Sequence, residues 1–396
     1  MARPQVIVYL STNDPYSDLT TNTWYNISNY VLLDDAPMGA AIQISRGRQS
    51  EQDTVQAGTC SLVLNNSDSR FSIGSTTYGN PIGMTHKIRI STLWAGVERA
   101  LFTGFTQEWN PDGTNGFAVV HVKCVDAFGL FARDEVTVNI TAGTTAAALT
   151  QVLTAMSFPT ANKWWPANPV GTVQAASYTS VNALQLLQDI AAVEDGTFFI
   201  EYDGFPALHA RYYRIQVQSS PFRTFSDLSA TGYPYADADL RLDDQFLYND
   251  IRVTSETTSN TQQALDGASL IRHRRRKLDK GSVPLGDVDC NALATWALYQ
   301  YSSPMERFNS ITLNGDLDNT LWPDIIQRLI DERVRIIKRV GSRTVQKDAW
   351  IAGIQHAIGR DMWLTKWMLI PADKGSAFFT LDSSTSGILD TNLLGY

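Results

Sequence analysis

The densest cluster of charge in the chain is Arg272-His273-Arg274-Arg275-Arg276-Lys277. A run of this kind can hold phosphate, form a solvated strand face or meet an acidic protein partner. The chain has 32 Lys and Arg against 40 Asp and Glu, a net charge of −8. That balance favours the solvated face or the protein partner over a general nucleic-acid surface. Read as a strand, the run sends Arg274 and Arg276 to one face and His273, Arg275 and Lys277 to the other, with Arg272 leading in. At least one set should then meet carboxylates. His121, Cys124 and Asp126 have the residue types of a catalytic triad, but on an extended strand His121 and Cys124 point to opposite faces. Asp237, Asp239, Asp243 and Asp244 resemble a loose calcium loop without the glycine and terminal glutamate of an EF-hand. Glu194-Asp195 reads as a helix end and Asp243-Asp244 as a solvated turn. The Trp164-Trp165 pair could stack on a sugar or pack at a domain seam, and burial statistics favour the seam. No phosphate loop, His-Glu-x-x-His pair or Gly-x-Ser-x-Gly elbow occurs. Hence no catalytic residue, cofactor or metal is expected.

The elements that must carry these residues centre on Ala349 to Pro371. Aromatic and β-branched residues flank Gly359-Arg360-Asp361, the pattern of a hairpin. Something similar occurs earlier. Leu101–Gln107 resembles Trp350–His356, Lys87–Ile90 resembles Arg333–Ile336, and Ser61–Asn65 resembles Ser310–Asn314. Three strand-like blocks recurring in one order predict a duplicated domain. Short strands and polar loops predict a first β-barrel over residues 1–135 and a related second barrel over 236–372. Between them, 136–235 reads as an α+β connecting domain. It has a helix from Thr144 to Met156 and a second from Ser180, as cap, to Glu194. A hairpin then turns at Asp203-Gly204. A third helix, Asp287 to Tyr301 with an aspartate cap, lies in the second barrel domain. Residues 373–396 form a C-terminal extension.

Hydrophobic residues make up 43% of the 396 and charged residues 18%, a globular composition with room for two to four cores. Cys60, Cys124 and Cys290 are too scattered for a metal site or disulfide framework. The first two sit in apolar strands and are expected as buried thiols. The N-terminus lacks the apolar core of a signal peptide, and no run of some eighteen apolar residues exists. Synthesis in a cytoplasm, with no membrane span, is the expectation. Ten Trp, fifteen Tyr and sixteen Phe allow extensive partner surfaces as well as cores.

The order of β domain, helix-and-hairpin domain and second β domain resembles the tail hub, or baseplate hub, family of tailed bacteriophages. The residues that carry the likeness begin with Gly47-Arg48, Gly58-Thr59 and Asn65 before Arg70-Phe71. Asp189–Gly196 before the hairpin, Tyr248–Ile251, His273–Arg276, and Asp289 to Tyr301 with Pro304 continue it. Phe379–Asp382 and Gly387–Asp390 resemble minor tail proteins of actinobacterial phages. The resemblance implies a structural virion protein at the tail tip, a homotrimer with two related barrels per subunit. It would join the tail tube to the host-recognition tip and let DNA pass without reading sequence. Implied partners are a distal tail protein, a tape measure protein and other tail-tip or receptor-binding proteins. The alternatives are a distal tail protein forming a sixfold ring, and a carbohydrate-binding tail-tip protein using Trp164 and Trp165.

Overall fold

A computed structural model describes residues 3–33, 41–49, 55–114, 117–159, 161–165, 171–193, 196–210, 213–214, 220–228, 230–283 and 285–372. The expected C-terminal extension and the Glu194-Asp195 pair lie outside these residues.

The fold is mainly antiparallel β. One thirteen-stranded sheet dominates it. Its hydrogen-bonded path runs Asp237–Asp243, Met305–Asn314, Trp363–Pro371, Arg343–Ile358, Ile42–Gly47, Thr59–Asn65, Phe117–Val125, Val97–Thr114, Lys87–Trp94, Gln5–Ser11 and Tyr25–Asn26. Arg333–Val340 pairs with Arg343–Ile358 and carries Arg223–Ser226 in parallel on its other edge. The hairpin Arg343–Ile358 and Trp363–Pro371 thus lies in the middle of the sheet. Its turn closes from the Gly359 amide to the Met362 carbonyl at 2.8 Å.

Two sets of five strands pair in the same order. The first is Ile42–Gly47, Thr59–Asn65, Phe117–Val125, Val97–Thr114 and Lys87–Trp94. The second is Asp237–Asp243, Met305–Asn314, Trp363–Pro371, Arg343–Ile358 and Arg333–Val340. Each long strand carries a bulge at the matching place, at Gln107 in one and Ala352 in the other. Ser61 faces Lys123 as Ser310 faces Met368, so that block aligns as the sequence paired it. Leu101–Gln107 does not. Lys87 faces Phe105, whereas Arg333 faces Trp350 and not Ile354, so the sequence match is out by four residues.

Among the described strands no closed barrel forms, which corrects the expectation of two. The reason lies in Arg343–Ile358. Its residues Arg343–Trp350 pair with Arg333–Val340, and Gly353–Ile358 then offer the same edge to Ile42–Gly47. The sheet therefore continues into the first set where a barrel would curl back.

The helix Thr145–Ala155 is capped by Thr144, whose hydroxyl accepts the Ala147 amide. The second helix is Ala183–Ala192. Its cap is Asn182, not Ser180, because Ala176–Asn182 is a strand paired with Glu135–Ile140. The helix Asp287–Tyr301 is capped by Gly286, and the Asp287 carboxylate instead accepts from Thr258 and Asn260.

Apolar burial forms two main cores. One runs through both strand sets and contains Trp322, Trp363 and Trp367, all fully buried. Truncating any of these to Ala costs about 3–5 kcal/mol. The other gathers the two central helices and the hairpin Thr197–Ile200 with Pro206–His209. It also takes in the three-stranded sheet Asp250–Ser255, Thr261–Leu265 and Lys277–Val283 with its helix Asp287–Tyr301. Cys60, Cys124 and Cys290 are buried and free.

Candidate interaction surfaces

The basic run is not one strand. Asp266 accepts the Ser269 amide and starts a helix, Gly267–His273, so Arg272 and His273 sit in a last helical turn. Arg274 breaks it at φ +61°, and its carbonyl accepts from Asn249 Nδ2 at 2.7 Å. Only Lys277 begins a strand. Alternation therefore does not sort these side chains; a helix end and a left-handed residue do. Arg275 Nε lies 3.4 Å from Asp250 Oδ2, Arg276 pairs with Asp244, and Lys277 Nζ is 2.9 Å from Asp279. All three cations remain partly exposed, so each pair contributes little stability, about 0–1 kcal/mol, and leaves the heads open to a partner.

The tryptophan pair is divided. Trp165 donates from Nε1 to Thr150 Oγ1 at 3.0 Å and leans on Phe198. Trp164 stands edge-on to His209 and Tyr213 and is 38% exposed. One ring is committed to the helix, so the two do not form a shared stacking platform. His121 is exposed while Cys124 and Asp126 are buried. The Asp126 carboxylate accepts the Gly58 and Phe128 amides at 2.6 and 2.9 Å, and burial pushes it up to about 7. Asp237, Asp239 and Asp243 lie on a strand, and Asp244 is held by Arg276. Among the described residues no group of three or more His, Cys, Asp or Glu is placed to hold a metal ion.

A buried polar network was not foreseen. It joins the central hairpin to the two strand sets. Asp331, fully buried, accepts from Arg214 Nε at 2.7 Å and shares a 2.9 Å hydrogen bond with His209 Nδ1. Arg214 and Arg48 both donate to Thr197 Oγ1, at 2.7 and 2.6 Å. Arg46 lies 3.6 Å from Glu201. Burial alone would raise the Asp331 carboxyl. The Arg214 guanidinium and the His209 hydrogen bond outweigh it and hold the carboxyl well below the usual range. Burial pushes Glu201 up. The one sequence signal was Arg46 and Arg48 flanking Gly47 in an otherwise apolar strand.

That strand makes the junction of the two sets. Gly353 faces Gly47, and the Arg48 amide donates to the Ala352 carbonyl at 2.8 Å. A Cβ on Gly47, which has φ +85°, would lie 2.4 Å from the Ala352 oxygen. A Cβ on Gly353 would lie 2.4 Å from the Arg48 oxygen. Only glycines allow this approach.

No protein-family model matches the chain, and no curated protein matches it. Solved structures do. A tail protein from Neisseria meningitidis superposes with a TM-score of 0.60 at 13% identity, over 92% of this chain and 96% of that one. A 43 kDa tail protein of prophage MuSo2 from Shewanella oneidensis gives 0.57 at 13%, over 94% and 98%. An E. coli type VI secretion component, described as similar to the T4 bacteriophage tail proteins gp27 and gp5, gives 0.50 at 8%, over 85% and 74%. The chain therefore has the fold of bacteriophage tail and type VI secretion proteins.

Proposed function

We propose that this chain is a structural virion protein of a phage tail, a homotrimeric hub at the tail tip that joins tube to tip and lets DNA pass. The observation that carries the reading is the pair of strand sets with one pairing order and one bulge position. Two equivalent wall segments per chain let three copies meet a sixfold tube without a symmetry mismatch. The fold shared with tail proteins supports it. A sixfold ring needs one wall segment per chain, so the duplication speaks against the distal-tail alternative. The divided tryptophans speak against a sugar platform. On this reading the two strand sets, with boundaries near 1–135 and 236–372, form the ring. The central residues 136–235 buttress it, joined by the insert Asp250–Tyr301. The distal tail protein, tape measure protein and receptor-binding proteins are the partners. Mass measurement of the purified protein, then class averages down the tail axis, test this. A threefold ring with six similar inner lobes is expected. A stable monomer that stays monomeric with tail partners present refutes it.

A further inference from the structure

The junction inside one chain is also a template for joining two chains. Ile42–Gly47 adds to the outer edge of Gly353–Ile358. Each of these segments has a counterpart in the other set, and both counterparts end without a strand neighbour. Aligned through the bulges, Gly353–Ile358 corresponds to Glu108–Gly113. Among the described residues Glu108–Gly113 pairs only with Phe117–Val125, since the neighbouring Lys87–Trp94 stops at Phe105. Ile42–Gly47 corresponds to Ala238–Leu242, because Gln43 faces Ser61 and Asp239 faces Ser310. That strand pairs only with Met305–Asn314. Its Ala238 carbonyl receives the Lys338 ammonium, its Arg241 pairs with Asp239, and its Leu242 is 69% exposed.

We infer that the free edge of Asp237–Asp243 adds antiparallel to the free edge of Glu108–Gly113 in a second copy of this chain, repeating the internal junction and closing a ring head to tail. Unpaired N–H and C=O rows are ready templates for such addition. Two departures from the internal junction coincide. In the template His356 faces Ile44. Pro111, which has no N–H to offer, stands in place of His356. The register shift between Asp239 and Leu240 leaves the partner strand without a counterpart of Ile44. The missing donor and the missing residue fall together. Leu242 is covered by the same contact. The register also sets Asp239 against Asp112, as Gln43 is set against Ala357; like charges directly opposite oppose association.

The inference deepens the hub reading and rests on its ring. Cross-linking tests it, and the native cysteines are buried and silent. Asp112→Cys with Asp239→Cys in one chain should give, on oxidation, covalent species up to the trimer. Mixing the two single variants should give covalent dimer only, and each alone none. Asp112→Asn should tighten association about two- to fivefold. Circular dichroism of the reduced variants checks that they fold. If the trimer forms but neither the double variant nor the mixture cross-links, the ring uses another surface. This inference then fails and the hub stands. Self-cross-linking of one single variant means a twofold contact and also overturns it. No association of any form, with native circular dichroism, overturns both.

Discussion

Replacing Asp331 by Asn tests what fixes the central domain against the strand sets. The substitution keeps the shape and suits φ +68°, a left-handed position that Asn tolerates. It removes one charge from a fully buried site between Arg214 and His209. An amide can accept from only one of these donors and turns its own N–H₂ toward the other. Breaking a buried pair by removing one partner costs about 3–5 kcal/mol. At ~2 °C per kcal/mol for a large domain, the melting temperature should fall by about 6–10 °C at pH 7. The pH dependence has a fixed sign. The folded carboxyl titrates below its unfolded value of 3.8. Its contribution is complete above pH 4 and is lost as pH falls further. The gap between wild type and variant should therefore close on acidification from about pH 5 toward pH 2. Thermal melts by fluorescence and circular dichroism across that range are the assay. A variant that melts within 1 °C of wild type at pH 7, or a gap constant down to pH 2, would refute the role given to this network.

Three further outcomes follow from the same geometry. Gly47→Ala or Gly353→Ala places a Cβ 2.4 Å from a facing carbonyl oxygen; each should destabilise by at least about 2 kcal/mol and raise hydrogen exchange along Gly353–Ile358. Lys87→Met removes the ammonium that binds the Asp14 and Ser17 carbonyls, Ser17 Oγ and Asn22 Oδ1, so limited proteolysis should cut within Ser11 to Thr23 first. Burial pulls the Lys87 ammonium down to about 8. Its charging penalty is full below pH 8 and relieved as pH rises toward 10.5, so wild type should gain on Lys87→Met over that window. Charge reversal of Arg275 and Arg276 should move the melting temperature by less than about 2 °C, since exposed pairs contribute ~0.2–1 kcal/mol, yet block tail assembly. Normal assembly with only the ejection rate altered would mean that these residues face DNA.

The strands were legible where alternation and turn residues coincide, as at Gly359-Arg360-Asp361 and Asp203-Gly204. Register was not. Leu101–Gln107 and Trp350–His356 look alike because each has a glycine after three apolar or small residues. The two glycines do different things. Gly104 leaves room for the Phe102 ring and the Val125 carbonyl, while Gly353 admits the Arg48 backbone. Sequence alone matched the glycines and slid the strands by four. The basic run was misread for a related reason. An aspartate cap at Asp266 sets a helix into what composition offered as a strand. The network around Asp331 was invisible because its members lie far apart in sequence and meet only when the hairpin packs on the junction.

The two strand sets differ most in what interrupts them. Between Ile42–Gly47 and Thr59–Asn65 the chain takes a short connection. Between Asp237–Asp243 and Met305–Asn314 it inserts a three-stranded sheet and the helices Gly267–His273 and Asp287–Tyr301. The insert does not extend the thirteen-stranded sheet; it buries Cys290, Leu293 and Ala297 against the central domain. It also carries the basic run. On the proposed reading this division assigns two symmetries to two parts of one ring. The sheet repeats twice per chain and can face a sixfold tube. The insert occurs once per chain and can face threefold partners. A hub that must meet both needs one feature duplicated and the other not. Equal interruptions in both sets would have left six like faces and no reason for a trimer.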